Sequence, residues 1–413
     1  MPNANQAWFA QDRFGLFIHW GSYSLAARHE WVKHNERIPD EIYEKYFRHF
    51  DPDLYDPSLW AKAASSAGMK YFVVTTKHHE GFCLWDTAYT DYKAPNTPYG
   101  KDVLTPMVEA FRRENMKVGF YHSLLDWHHP EYTLDECHPM RDNKEFIEAA
   151  KNRDLKKYTE YLHNQTTELL TKFGKVDVLW YDFSVGASER YPGKGKEEWE
   201  SEKLIKLIRS YQPDIILNDR LQIGGDVVTP EQYQPREWVK VDGKPVMWEA
   251  CQTFSGSWGY HRDESTWKSV DTLIQLLIDT VSKGGNLLLN VGPTGRGEFD
   301  YRALSALEGM GKWMKYHSRA IYNCTEAPEE FTAPRDTRLT YNPDKKRLYI
   351  HMYAWPFGGF FADSKALAER IEYAQLLNDA SELRYNVNGD TLSFDLPVVK
   401  PNVTVPVIEV FLK

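Results

Sequence analysis

Short apolar segments alternate with longer amphipathic segments from residue 14 to about residue 290. The apolar segments are rich in β-branched and aromatic residues, which predicts β-strands. These strands cover residues 14–21, 70–76, 116–122, 176–182, 214–218, 246–249 and 286–291, and a further strand is expected among residues 221–260. The amphipathic spacing predicts helices over residues 57–67, 102–115, 199–211 and 268–283, and a long helix before residue 176.

Strands that are apolar on both faces and separated by helices are typical of a parallel sheet. The chain is therefore predicted to be of the α/β class, as a (β/α)8-like TIM barrel, with a doubly wound sheet as the alternative. The barrel is favoured because many of the strands end in His, Asp, Glu or Arg. Such residues collect at the carboxyl-terminal rim of a barrel, where catalytic groups lie.

The pattern changes after about residue 325, where strand-like segments are joined by Asn, Asp and Gly turns. The strand-like segments cover residues 338–341, 347–353, 382–395 and 403–412. Asn388-Gly389 is typical of a β-hairpin turn. We therefore predict a catalytic barrel domain over residues 1–325 and a small antiparallel β-sandwich domain over residues 326–413.

Composition narrows the choice of partner. A formal net charge of −9 disfavours nucleic acid and anionic membranes, and no apolar run approaches the ~20 residues that cross a bilayer. The 14 Trp and 25 Tyr residues fit either the flat faces that bind sugar rings or a large aromatic core.

Residues 1–8 lack the features of a secretory signal, so a cytoplasmic location is expected. The cysteines show no paired spacing and are predicted to be free thiols: Cys83, Cys137, Cys251 and Cys324.

One strand ends on a carboxylate, Asp182, after the apolar run Val178-Leu-Trp-Tyr181. A charge at the end of a hydrophobic strand is costly unless it is paired or used. In a parallel barrel this is a catalytic position. The alternative is a structural Asp that caps the next helix, and the strand by itself does not decide between the two.

Other polar and aromatic residues follow the remaining strands, in the same position relative to the barrel rim. Neutral His can donate to and accept from vicinal hydroxyls, and Trp and Tyr cover the apolar face of a sugar, so this set predicts a site for a polyhydroxylated ring. A zinc site is the alternative, although successive strand residues such as His78 and His79 point to opposite faces. Asn218-Asp219-Arg220 also fits a simple salt-bridged turn.

The motifs at these positions identify a family. They are Phe14-Gly-Leu-Phe-Ile-His-Trp-Gly21, Glu30-Trp31, Thr76-Lys-His-His-Glu-Gly-Phe82, Trp180-Tyr-Asp182, Asn218-Asp-Arg220, Trp248-Glu249, Ser257-Trp-Gly-Tyr260 and Gly284-Gly-Asn-Leu-Leu-Leu-Asn-Val-Gly292. In this order, across residues 8–320, they resemble the α-L-fucosidases of glycoside hydrolase family 29. The resemblance implies a retaining exo-glycosidase with a barrel, a C-terminal β-sandwich, a fucosylated glycan as substrate, and no metal or organic cofactor.

The resemblance also implies roles for single residues. Asp182 matches the family's nucleophile, and Glu231 is the expected acid/base, with Glu249 as the runner-up. Trp258 matches an aromatic residue near the methyl group of the sugar. The form Thr229-Pro-Glu-Gln232 resembles the branch that prefers fucose in α-1,3 or α-1,4 linkage. The other residues expected to line the fucose pocket are His19, Glu30, Trp31, His78, His79, Tyr121 and Arg220.

A retaining mechanism requires the two carboxyl groups to lie ~5–5.5 Å apart around the bound sugar. Asp182 must then be ionised, so Arg220 or a histidine is expected beside it, keeping its pKa low. Two other functions stay open at this point: a metal-dependent barrel hydrolase built on His19, His78 and His79, and a non-catalytic fucose-binding protein. Transglycosylation would use the same residues as hydrolysis. Nothing in the sequence indicates an oligomeric state.

Overall fold

The structure is a computed structural model that describes residues 6–413, and its central element is a seven-stranded parallel sheet. The strands lie in the order β5-β4-β3-β2-β1-β9-β8, and neighbouring strands run parallel. They are β1 (Phe14–Ile18), β2 (Tyr71–Lys77), β3 (Lys117–Ser123), β4 (Val178–Asp182), β5 (Ile216–Leu217), β8 (Glu249–Thr253) and β9 (Asn286–Val291), with an exposed hairpin formed by β6 (Lys240–Val241) and β7 (Lys244–Pro245).

A short irregular segment, residues 227–232, closes this sheet into a barrel. The Val227 amide donates to Leu217 of β5 (3.2 Å), and the Glu249 and Cys251 amides of β8 donate to carbonyls of the segment (2.9 and 3.0 Å). Pro230 cannot donate to a ladder, so the segment forms isolated bridges in place of a regular strand. It takes the position of the further strand expected among residues 221–260, and the predicted (β/α)8-like barrel is confirmed.

One predicted strand has the wrong bounds. The expected strand over residues 246–249 begins at Glu249 and continues to Thr253. Its sequence, Glu-Ala-Cys-Gln-Thr, has no apolar run, yet all five residues are buried because β9 and segment 227–232 cover both edges. Glu249 therefore lies at the amino-terminal end of the strand, away from the rim that carries the catalytic groups of barrel enzymes.

Helices connect the strands, and the predicted helices are found within a few residues of their expected bounds. In α5, Asp56 caps the first turn by accepting from the Ser58 amide (2.8 Å), Pro57 takes the first position, and Gly68 follows the end with a φ of +91°. The helices are α1 (Ala7–Asp12), α2 (Tyr23–Ala26), α3 (Val32–Asn35), α4 (Asp40–Arg48), α5 (Pro57–Ser66), α6 (Leu104–Arg113), α7 (Lys144–Ala149), α8 (Leu155–Lys172), α9 (Ser201–Tyr211), α10 (Val270–Val281), α11 (Tyr301–His317) and α12 (Lys365–Arg370).

The C-terminal part forms two antiparallel sheets around a second core, as the predicted β-sandwich requires. The Asn388-Gly389 hairpin is confirmed, with Gly389 at a φ of 62° between β15 and β16. Trp313 of α11 donates to the Val405 carbonyl (3.1 Å) and so ties this part to the barrel helices. The strands are β10 (Thr325–Glu326), β11 (Thr337–Asn342), β12 (Arg347–Met352), β13 (Phe360–Asp363), β14 (Ile371–Leu376), β15 (Tyr385–Asn388), β16 (Thr391–Phe394) and β17 (Val407–Leu412).

The barrel interior explains much of the aromatic content. Phe17, Tyr71, Tyr121 and Trp180 pack together inside the sheet. Residues at alternate strand positions face inward, which places His19 above Phe17 and Asp182 above Trp180.

The four cysteines are free thiols, as predicted. Within residues 6–413, no helix combines the length and the apolar character needed to cross a membrane.

Candidate active site

A pocket of about 340 Å³ opens at the carboxyl-terminal ends of the barrel strands. It is narrow, and its wall is almost entirely aromatic and imidazole, with two carboxylates facing the space. Such a wall suits a single sugar ring, since imidazoles bind hydroxyls and aromatic faces cover apolar carbons. The lining residues are Phe17, His19, Trp31, His78, His79, Tyr121, Trp180, Asp182, Phe183, Glu231, Cys251 and Trp258.

Asp182 is the last residue of β4 and points into this pocket. Its Oδ2 accepts from the Tyr121 hydroxyl (2.9 Å), and its Oδ1 accepts from Nη1 of Arg220 (3.2 Å). The Nε2 of His79 lies 3.8 Å from Oδ2. The next helix, α9, begins at Ser201 and has Glu200 at its N-cap, so Asp182 does not cap it. The alternative of a structural capping Asp is wrong.

The expected partner of Asp182 is present, but the expected low pKa is wrong. Burial raises the pKa of Asp182 to about 6, and the nearby charge of Glu231 adds to that rise. Arg220 and the Tyr121 hydrogen bond lower the pKa, but less than burial raises it. Asp182 is therefore ionised at neutral pH and becomes protonated in mildly acidic solution.

Arg220 joins the two carboxylates of the pocket. Its Nη1 bonds Asp182, and its Nη2 donates to Oε2 of Glu231 (2.8 Å). The guanidinium also lies over the Trp180 ring, 5.0 Å from its centroid, and its Nε donates to the Thr229 hydroxyl (3.1 Å). The Asn218-Asp219-Arg220 turn is thus salt-bridged and also part of the site.

The two candidate acids occupy opposite ends of the barrel. The Glu231 side chain is 41% exposed and lies beside the pocket, where the closing segment meets Cys251. Glu249 is 0% exposed and accepts from the Tyr71 hydroxyl (2.5 Å), below the pocket floor. Burial raises the pKa of Glu249 to about 7. Of the two, only Glu231 lines the pocket.

The adjacent histidines, His78 and His79, both face the pocket, with ring centroids 4.0 Å apart. The expectation that they point to opposite faces is wrong, because β2 ends at Lys77 and strand alternation does not extend into the turn. Even so, within residues 6–413 no group of three or more His, Cys, Asp or Glu side chains is placed to hold a metal ion.

Two predicted pocket residues, Glu30 and Arg220, do not line the pocket. Arg220 bonds two carboxylates that do. The Oε2 of Glu30 accepts from the Gly259 amide (2.7 Å), so Glu30 holds the loop that carries Trp258. Trp31 and Trp258 themselves line the pocket.

Four pocket residues were not predicted: Phe17, Trp180, Phe183 and Cys251. Phe17 and Trp180 could have been found, since each lies two positions before a predicted site residue on the same strand face. Phe183 could not, because it returns to the pocket only through a left-handed φ of 76°, which is uncommon for a bulky residue. Its ring then packs on Trp31 and His79.

Comparisons with known proteins agree with this site. The sequence model of the family described as alpha-L-fucosidase matches residues 2–319. The plasma alpha-L-fucosidase of Homo sapiens is 29% identical over 95% of this chain and 85% of its own length. The structure is similar to that of alpha-L-fucosidase isoenzyme 1 from Paenibacillus thiaminolyticus, at 42% identity and a TM-score of 0.93 over 99% of both chains. An alpha-L-fucosidase from Bacteroides thetaiotaomicron, solved as a trapped covalent intermediate with 2-fluoro-fucosyl fluoride using a glutamate-to-glutamine mutant, is 27% identical, with a TM-score of 0.86 over 100% of this chain and 97% of that chain.

Proposed function

This chain belongs to the α-L-fucosidase family of glycoside hydrolases, and we propose that it removes terminal α-L-fucosyl groups by double displacement, with Asp182 as the nucleophile. The observation that carries the proposal is the pair of carboxylates, Asp182 and Glu231, on one guanidinium in one narrow pocket. A protein that only bound fucose would have no need for two such carboxylates. A metal-dependent hydrolase would need a ligand group, and the described residues provide none.

In the first step, Asp182 attacks the anomeric carbon of the fucosyl group, and the bond from that carbon to the aglycone oxygen breaks. Glu231 gives its proton to the departing oxygen. In the second step, Glu231 takes a proton from water, the water oxygen bonds to the anomeric carbon, and the bond to Asp182 breaks. Two inversions give net retention. A sugar hydroxyl in place of water in the second step would give transglycosylation.

The remaining contacts fit these roles. Arg220 and Tyr121 bind the Asp182 carboxylate as it becomes a leaving group in the second step. The Glu231 side chain is 41% exposed, so water can reach its carboxyl group. The Bacteroides thetaiotaomicron relative supports the covalent step, since it was trapped as a covalent intermediate with a glutamate altered. We expect the two carboxyl groups to lie ~5–5.5 Å apart around a bound sugar.

The first prediction concerns linkage. Because Thr229-Pro-Glu-Gln232 has the form of the α-1,3/1,4 branch, fucose should be released from a Lewis-type trisaccharide faster than 4-nitrophenol from 4-nitrophenyl-α-L-fucoside. Both releases should continue unchanged with EDTA. Good activity on both substrates would contradict the branch and keep the family chemistry. Activity lost on chelation and regained with zinc would contradict the metal-free mechanism.

The second prediction concerns pH. The reactive form of Asp182 is ionised, and burial raises its pKa to about 6. Below that pH the ionised fraction falls about tenfold per pH unit, so about a tenth remains at pH 5. For a fucosyl fluoride, whose leaving group needs no proton, kcat/KM should therefore fall with falling pH from about pH 6.

The matching measurement is kcat/KM for the fluoride across the acidic range, with enzyme returned from each pH to neutral buffer and assayed again. Full recovery at neutral pH shows that the loss is a titration and not unfolding. A flat profile down to pH 5 would contradict the raised pKa of the nucleophile.

A further inference from the structure

Each histidine of the pocket turns one ring nitrogen away from the sugar space, towards a buried polar side chain. We call His19, His78 and His79 the pocket histidines, and Asn290, Glu80 and Ser123 the backing residues. The contacts are His19 Nδ1 to Asn290 Oδ1 (2.6 Å), His78 Nδ1 to Glu80 Oε2 (3.5 Å) and His79 Nδ1 to Ser123 Oγ (2.6 Å). All six side chains belong to buried residues. In every case the nitrogen that faces the protein is Nδ1.

The tautomer of His19 follows from the hydrogen bonds of Asn290. The Asn290 Nδ2 donates to the Trp258 carbonyl (2.7 Å), which fixes the orientation of the amide. Its Oδ1 then faces His19, and a carbonyl oxygen only accepts. The hydrogen of the neutral ring must therefore be on Nδ1 of His19, which leaves Nε2 with a free lone pair.

The same reasoning applies to His79. The Ser123 hydroxyl has one hydrogen, and it is donated to the Leu125 carbonyl (2.7 Å). Towards His79 the hydroxyl can only accept, so the hydrogen of that ring is also on Nδ1. The bare Nε2 then faces the pocket, 3.8 Å from Asp182 Oδ2. Burial lowers the pKa of His19 and of His79 well below the usual value for imidazole, which keeps both rings neutral.

His78 is backed by a carboxylate. Glu80 is 0% exposed, and neither of its oxygens has a hydrogen-bond partner among the described residues. The Nδ1 of His78, 3.5 Å from Oε2, likewise has no hydrogen-bond partner among the described residues, so this contact does not determine the tautomer of His78. Room for the carboxylate depends on Gly21, where a Cβ would lie 2.9 Å from Glu80 Oε1.

We propose that Asn290 and Ser123 are positioning residues, which hold His19 and His79 in a single tautomer with the hydrogen on Nδ1 and a bare Nε2 towards the sugar. The inference rests on the proposed function in supposing that a sugar occupies the pocket. Its consequence is a rule of recognition. His19 and His79 accept from sugar hydroxyls and do not donate to them, so a bound sugar must offer hydroxyl hydrogens at those positions.

The tautomers can be read directly by ¹⁵N NMR of the histidine rings in the unliganded enzyme. His19→Gln and His79→Gln each remove the two ring-nitrogen signals of one histidine and so assign the two rings. We expect both rings to be neutral with the hydrogen on Nδ1. A hydrogen on Nε2 of either ring would overturn the proposal. Because this spectrum needs no turnover, its outcome is independent of whether the proposed function holds.

The recognition rule is tested with L-fucose and its monodeoxy and deoxyfluoro analogues as competitive inhibitors. Binding of L-fucose itself tests the proposed function. Fluorine cannot donate, so wherever removing a hydroxyl weakens binding, the fluoro analogue should bind no better than the deoxy analogue, within about twofold. Fluorine that restored most of the lost binding at those positions would overturn the proposal.

A matched pair of variants separates positioning from stability. Ser123→Ala removes the acceptor behind His79, and Thr340→Val removes a buried hydroxyl that likewise donates to a carbonyl (2.7 Å) and bonds a histidine, His351 (2.8 Å), but in the C-terminal sheet. Both variants should lower Tm, since each loses a buried hydrogen bond. Only Ser123→Ala should weaken fucose binding, about five- to tenfold, with Ser123→Thr restoring it. Equal binding in both variants would overturn the role of Ser123.

Discussion

Asp182→Asn is expected to lose turnover by a factor on the order of 10³ or more, with the fold intact. Asn has the shape of Asp and can still accept from Tyr121, but it cannot form the covalent bond to the sugar. Arg220 keeps Glu231 as its ionic partner, so no buried cation is left alone. Because burial raises the pKa of Asp182 to about 6, the buried charge is itself costly, and Tm should not fall.

The measurement is kcat/KM on the Lewis-type trisaccharide, together with Tm and an intact mass that excludes deamidation. Asp182→Gly adds a positive control. Azide that fills the vacated space should restore turnover and give the product of a single inversion. Activity above about a hundredth of the wild-type value in either variant, without azide, would contradict the assignment of the nucleophile.

Glu231→Gln is expected to separate substrates by their leaving group. A sugar leaving group needs a proton in the first step, so its release should slow by about 10²–10⁴. Fluoride needs none, so formation of the intermediate from fucosyl fluoride should be nearly unchanged. The intermediate then accumulates, because water has lost its base, and a burst of fluoride should precede slow turnover. Steady-state measurements give the loss of turnover on the substrate with a sugar leaving group. Stopped-flow measurements give the size of the fluoride burst on fucosyl fluoride.

Glu249→Gln is the matched control for this experiment. It makes the same chemical change at a carboxylate that lies below the floor of the pocket and bonds Tyr71. We expect its kcat/KM to fall by no more than a few-fold on both substrates, since it cannot touch the leaving group. If the rate depended on the leaving group in Glu249→Gln and not in Glu231→Gln, Glu249 would be the acid/base and Glu231 the supporting residue.

The sequence predicted the residues that lie at the ends of regular strands. His19, Tyr121 and Asp182 follow or end apolar runs, and in a parallel barrel such positions meet at one rim whatever the details of packing. Their order along the chain also carried the family resemblance. The C-terminal sandwich was predictable for a similar reason, since short-range turn chemistry at Asn388-Gly389 determines a hairpin.

The sequence failed where the chain departs from regular structure. The closing segment 227–232 is irregular and contains Pro230, so its role depends on the two strands that flank it. The strand that begins at Glu249 is polar in sequence and is buried only because its neighbours cover it. His78 and His79 share one pocket because their strand ends just before them. None of these can be inferred from periodicity.

The error about Asp182 has a different origin. The sequence indicates the pairing with Arg220, which lowers the pKa of Asp182. How far burial raises that pKa depends on how much water the folded pocket excludes. Burial and the second carboxylate together outweigh the guanidinium and raise the pKa of Asp182 to about 6. A sequence shows which charged residues can form a site, but their net effect on a pKa depends on how deeply the fold buries them.

The proposed mechanism requires a covalent bond between fucose and Asp182, and this bond can be trapped. The enzyme is inactivated with 2-deoxy-2-fluoro-fucosyl fluoride, digested and analysed by mass spectrometry, with Asp182→Asn treated in parallel. We expect one 2-fluorofucosyl group per chain, on Asp182, and no label in the variant. A label on another residue, or wild-type turnover that proceeds with inversion and no label, would contradict it.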